Sequence, residues 1–139
     1  MKLKYKLTDE TMTHKGRILH RIESLKDFAQ VKVGDKGGWV ETNDNLSHKG
    51  HAWIGDEAKV YGFGRVYEDA QVMDEAEVFE TAHVSGMAVV CGDARVRGNC
   101  RVYGQAFLDT DEMSGNLHIF QSRERSVSKW QSGKGLKRS

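Results

Sequence analysis

A small residue returns at every sixth position of this chain for ten units, without an insertion. Ala52, Ala58, Gly64, Ala70, Ala76, Ala82, Ala88, Ala94, Cys100 and Ala106 hold that position. Two places after each stands an aliphatic residue: Ile54, Val60, Val66, Val72, Val78, Val84, Val90, Val96, Val102 and Leu108. A helix is excluded, because a six-residue period sweeps its apolar positions around a turn of about 3.6 residues. Small-x-aliphatic is instead an alternation of period two, suited to a short strand whose alternate side chains point inward. Turn-like pairs separate the units, as in Gly62-Phe63, Glu68-Asp69, Asp74-Glu75, Gly92-Asp93 and Gly98-Asn99. Hexapeptide repetition is a signature of the parallel β-helix. Three hexads make one triangular coil of 18 residues, and coils stack about 4.8 Å apart. The small residue fits the corner and the aliphatic one fills the prism.

The flanks read differently. "LKYKLTD" and "GRILHRIES" around "HKG" predict a β-hairpin over 3–24. "SLKDFAQ" predicts a short turn or helix leading to "VKVGDKGGWVE", where Gly37-Gly38 signals a sharp turn into an irregular first coil. A cap is expected here, since the first coil of a solenoid otherwise exposes apolar surface and an open strand edge. After Leu108 the register breaks at "DTDEMSGN", and "LHIF" is one more short strand. The expected organisation is a hairpin and capping coil over 1–50, the repeats over 51–111, and a strand with a basic tail over 112–139. A short helix is expected near 122–131, with Trp130 as the tail's one large apolar anchor.

The segments "YKLTDETMTHKGRILHRIESLKDF", "GDKGGWVE" and "NLSHKGHAWI", followed by the hexads, carry a resemblance. Over roughly residues 4–108 the chain resembles the left-handed β-helix (hexapeptide-repeat) superfamily, and within it small β-helix proteins of bacteria and their phages. The resemblance implies an all-β, left-handed parallel β-helix of about three to four triangular coils, with an N-terminal hairpin cap. It also implies a phage or prophage setting. The left hand comes from the superfamily, since general chirality rules favour right-handed crossovers. A fold of this kind hosts many functions, so activity must be argued from its surfaces.

Composition narrows the classes. With 38% hydrophobic and 29% charged residues and no long apolar run, the chain reads as an ordinary soluble domain. No secretory segment is visible, and a cytoplasmic location is expected. Cys91 and Cys100 lie half a coil apart, on different sides, so a disulfide between them is not expected. The net charge of +1 hides a segregation. Residues 1–50 carry ten Lys/Arg and seven Asp/Glu (+3), residues 51–112 five and twelve (−7), and residues 113–139 six and one (+5).

Stacking the hexads in threes assigns outward side chains to three faces. Face one collects Trp53, Gly55, Gln71, Met73, Val89, Cys91, Phe107 and Asp109, too apolar for a solvated sheet, and predicts cover by the N-terminal hairpin or the C-terminal segment, or self-association. Face two collects Lys59, Tyr61, Glu77, Phe79, Arg95 and Arg97 and reads as an ordinary exposed sheet face. Face three collects Arg65, Tyr67, His83, Ser85, Arg101 and Tyr103, a basic and aromatic set able to contact phosphate, stacked bases or a carboxylate-rich partner. Stacking between coils would use the same residues structurally. Asp56, Glu57, Asp74, Glu75 and Asp93 form an acidic ridge at the corner after face one. Like charges one coil apart repel, so the ridge calls for a compensator: the basic tail, a divalent cation, or a basic surface on another protein.

Enzymatic readings find little to stand on. Transferases of this superfamily use a histidine in an inter-subunit cleft, often beside a loop extruded from the coils. Here the ten hexads run unbroken, and His83 is the one histidine within them. Zinc hydratases need three convergent imidazoles, and His48, His51, His83 and His118 do not match that spacing. No phosphate loop or other cofactor motif is present. The expectation is therefore a non-enzymatic protein-binding module, without cofactor or metal and away from membranes. Its partner would be a host protein or ribonucleoprotein complex that handles nucleic acid or serves defence, which it blocks in an anti-CRISPR-like manner. Direct nucleic-acid binding is left open, and the −7 of the repeats opposes it. A self-assembling scaffold, dimeric or trimeric, and a hexapeptide-type acyltransferase are the alternatives.

Overall fold

The computed structural model describes residues 3–121. Within them the chain is all β apart from one short 3-10 turn at Asn43–Asn45. β1 (Tyr5–His14) and β2 (Arg17–Ser24) form the expected hairpin, turning at Lys15 and Gly16, both with positive φ. β3 (Lys36–Val40) runs antiparallel to β2. From there on every strand pairing is parallel.

The first coil consists of β3, the segment around Leu46 and β4 (Trp53–Ile54). The second holds β5 (Lys59–Val60), β6 (Arg65–Val66) and β7 (Gln71–Val72). The third holds β8 (Glu77–Val78), β9 (His83–Val84) and β10 (Val89–Val90). The fourth holds β11 (Arg95–Val96), β12 (Arg101–Val102) and β13 (Phe107–Leu108). Two sides of a fifth follow, β14 (Glu112–Met113) and β15 (His118–Ile119). The result is a parallel β-solenoid of about four turns with three sheets, in the orders β4-β7-β10-β13, β1-β2-β3-β5-β8-β11-β14 and β6-β9-β12-β15.

The hexad alternation is what packs the prism. Every aliphatic position from Ile54 to Leu108 is at most 3% exposed, and the small residues beneath them are equally buried. The corners have their own chemistry. The first corner residue takes a positive φ at Asp56, Gly62, Glu68, Asp74, Glu80, Gly86, Gly92, Gly98 and Gly104. Glycine adopts that region freely, whereas the four carboxylate residues need a local hydrogen bond to hold it.

Two sequence expectations change. Gly37 and Gly38 do not form a sharp turn; they lie inside β3. A Cβ at Gly37 would sit 2.5 Å from the Ile54 carbonyl oxygen, and one at Gly38 would sit 2.5 Å from that of Ala58. The pair is small because β3 crosses the next coil at backbone contact. The coils also continue past Leu108, where the six-residue spacing breaks. Arg95 pairs with Glu112 and Arg101 with His118, 17 residues on instead of 18, so a one-residue deletion shifts the register.

The base of the hairpin closes the N-terminal end of the prism. Tyr5 and Ile22 join the main core, and the Tyr5 hydroxyl reaches the Asn43 and Leu46 carbonyls. Lys4 is fully buried there, its Nζ donating to the Ala52 carbonyl at 2.6 Å and to that of Gly50 at 3.3 Å. No helix among the described residues is long and apolar enough to cross a membrane. The helix expected near 122–131 falls outside the described residues.

Candidate functional site

Among the described residues, the chain closes one of the three faces, partly covers a second and leaves the third open. Face two is the closed one, which corrects its reading as an ordinary exposed sheet. The hairpin bends over it, and Leu19, with Met12 beside it, packs on Trp39, Tyr61 and Phe79 in a second core. The Tyr61 and Phe79 rings stack at 5.1 Å. Arg21 lies 4.4 Å over the Trp39 ring, and Lys15 and Arg95 lie over Phe79. Glu77 accepts from the Tyr61 hydroxyl at 2.8 Å and faces His14 at 3.3 Å. Tyr61 and Phe79, 18 residues apart on face two, form with Trp39 the floor that the hairpin covers.

Among the described residues, face one is covered only at its start. Phe28 packs edge-on to Trp53 with ring centres 5.5 Å apart. Between the 29–36 loop and Trp53, Gly55 and Met73 lies a groove of about 310 Å³. Met73, Val89 and Cys91 are half-buried, while Phe107 is 45% exposed. Burial pushes the Cys91 thiol up, with Asp109 and Asp74 adding to the effect. Cys91 and Cys100 are both free thiols, Cys100 inside the prism.

The acidic ridge is largely occupied within the fold. The Asp56 carboxylate accepts from the Asp74 backbone N–H at 3.2 Å, and Asp74 accepts from that of Gly92 at 2.8 Å. Glu68 and Glu80 do the same for Gly86 and Gly98, both at 2.7 Å. Each of these carboxylates sits at a positive-φ corner and ties it to the next coil. Hydrogen bonds from the Trp39 indole and from Arg21 hold the Glu57 carboxyl below its ordinary range. Glu75 and Asp93 are exposed and make no such bond among the described residues.

Face three is the open one. Its first row runs Arg65, His83, Arg101, His118 in strand register, one residue per coil. Its second row runs Tyr67, Ser85, Tyr103, Phe120. Arg65, Arg101, Tyr103, His118 and Phe120 are exposed, and Tyr67 and His83 are half-buried. The Arg101 guanidinium donates to His83 Nδ1 at 2.6 Å, so the neutral ring carries its proton on Nε2. Burial pushes the His83 imidazolium down, and the two charges that add to this, Arg101 and Arg65, are both cations. Tyr67 meets His83 edge-on, and Tyr103 stacks on Phe120 at 5.7 Å. Neither Arg65 nor Arg101 forms an ion pair among the described residues. The face thus displays guanidinium and imidazole donors beside aromatic rings, with no carboxylate in either row.

Four members of this surface escaped sequence reasoning. Phe63 and Met87 stand at the flanking corners, 77% and 62% exposed. His118 and Phe120 extend the two rows by one coil. The pair Met113 and Ile119 would have revealed them, since these lie six apart and resume the hexad after the deletion. Among the described residues no three His, Cys, Asp or Glu side chains are grouped to hold a metal ion.

No protein-family model matches the chain. A stretch of 62 residues is 32% identical to an uncharacterized acetyltransferase, YdcK, of Escherichia coli (strain K12). The match covers 39% of this chain and 19% of that relative, so the chain spans about a fifth of the curated protein it resembles.

Proposed function

We propose that this chain is a non-enzymatic binding module that takes the acidic surface of a protein partner on face three. The observation that carries this reading is the uncovered row Arg65–His83–Arg101–His118 beside the rings of Tyr67, Tyr103 and Phe120. Arginine and tyrosine are the residues that most often dominate binding energy at protein interfaces. Strands locked on both sides hold them with little left to order on binding. A local carboxylate cluster on a protein is favoured over nucleic acid because it can stay on the cationic row of face three, whereas a continuous phosphate backbone would also run past the acidic corners of a repeat body that carries −7. In the phage or prophage setting that the resemblance implies, occupation of a host nucleic-acid-handling or defence complex would be the means of inhibition. The test is affinity capture from bacterial lysate with the wild type and with an Arg65→Ala/Arg101→Ala variant in parallel. The reading expects a stoichiometric protein complex, weakened by salt and lost in the variant at unchanged circular dichroism. Equal capture by both proteins rejects it.

One observation favours a second reading, hexapeptide-type acyl transfer: the partial likeness to an acetyltransferase. It would make His83 the general base. Against it stands the partner of His83, an arginine rather than an orienting carboxylate, on an open sheet without a cleft. Turnover of acyl-coenzyme A donors that disappears in His83→Ala would establish this second reading in place of the first.

A further inference from the structure

We infer that residues 122–139 of this chain dock along face one, covering its apolar strip and meeting the acidic ridge at its edge. Four observations converge on that occupant. The first is the path of the chain. Each coil visits face two, then face three, then face one, and the described chain ends at Gln121 just after β15 on face three. The next step leads to the upper edge of face one, whose sheet stops among the described residues at β13, one coil short of the other two. The second is what lies bare there. Phe107 is 45% exposed, Val89 and Met73 are half-buried, and the groove beside Trp53 has room for one large aromatic side chain. The hairpin is committed to face two and the Phe28 loop reaches no further than the groove beside Trp53, Gly55 and Met73, so among the described residues neither covers the strip from Val89 to Phe107.

The third is charge. The segment carries Arg123, Arg125, Lys129, Lys134, Lys137 and Arg138 against Glu124 alone. The adjoining corner presents Glu75 and Asp93, with Asp109 and Asp111 above them. A second copy would instead bring another −7 repeat body to the same ridge. The fourth is reach. Trp130 stands nine residues past Gln121, up to about 30 Å of extended chain. From the fifth coil down to the groove is about 17 Å of stacked rungs. Trp130 therefore reaches the groove with chain to spare, and tethering gives it a high local concentration.

Cys91, half-way along face one, is a built-in reporter, with buried Cys100 as the internal control. The experiment measures alkylation of Cys91 by iodoacetamide in the full-length protein, over a range of protein and salt concentrations. It is repeated in Trp130→Asp and in Arg123→Glu/Arg125→Glu/Lys129→Glu. The inference expects Cys91 to react about tenfold faster in either variant than in the wild type. It also expects wild-type protection to weaken with salt and to be independent of protein concentration. Equal rates in all three proteins overturn it. Protection that grows with protein concentration also overturns it, by making a second copy the cover. Rapid alkylation of Cys100 in a variant would reveal unfolding. In that event Ser128→Cys decides: an intramolecular disulfide with Cys91 under mild oxidation supports the docking, and its absence overturns it.

Discussion

Asp74 carries, in one side chain, much of what a corner of this solenoid requires. Its backbone sits at φ 59°, and its carboxylate accepts the Gly92 N–H of the next coil. Asp74→Ala keeps the strained conformation and loses the bond, so chemical denaturation should find it about 1–2 kcal/mol less stable. Asp74→Gly loses the same bond but relieves the backbone, and should cost clearly less. Lys4 makes a second prediction. Burial, reinforced by Lys26 and opposed by Asp69, pushes its ammonium down from 10.5 to about 8. Between those values the unfolded chain binds the proton and the folded chain does not, so the Lys4 contribution to stability grows with pH from about 8 towards 10. Burial pushes the Tyr5 and Tyr61 hydroxyls up, aided by Asp44 and Glu77 respectively. Above their ordinary value of 10.0 the folded chain holds protons that the unfolded chain loses, and stability falls again. Burial likewise holds protons on Cys91 and Cys100 that the unfolded chain loses above 9.0, so denaturant midpoints should peak near pH 9, and Lys4→Met should abolish the rise below the peak. A flat wild-type profile would contradict this.

At the level of elements, the hexads were legible because the corner and the prism each select one residue type. Ala76 touches the tight corner and Val78 the prism, and both are completely buried. Ala76→Leu should overpack that corner by about 1–3 kcal/mol in equilibrium unfolding. Little effect there would count against the register. The hairpin was legible from "HKG" and its flanking alternation, but its destination was not. Tyr61 and Phe79 look the same in sequence whether solvent or Leu19 lies over them, because the hexad period fixes only which way a side chain points. The end of the repeat was misjudged for a comparable reason. A single deletion between Leu108 and Met113 leaves the coil intact while erasing the spacing by which it is recognised.

For the whole molecule, a three-sided prism offers three similar sheets, and the chain treats each differently. Face two receives the hairpin and face one receives Phe28 at its start. Arg65, Arg101 and Tyr103 on face three are exposed, with nothing laid over them among the described residues. The residues of face three were readable in advance, since register alone gathers them. That they form the free face followed only once the covering of the other two was known. The acidic ridge was also readable, but the hydrogen bonds that occupy Asp56 and Asp74 depend on backbone amides, which composition does not reveal.

Hydroxyl-radical footprinting of the full-length protein tests this division of faces most directly. The account predicts fast oxidation of Tyr103, Phe120 and Met87 and strong protection of Tyr61 and Phe79, which are 3% and 8% exposed. If Tyr61 and Phe79 were oxidised as fast as Tyr103, the hairpin would not cover face two. Face three would then no longer stand apart as the free face.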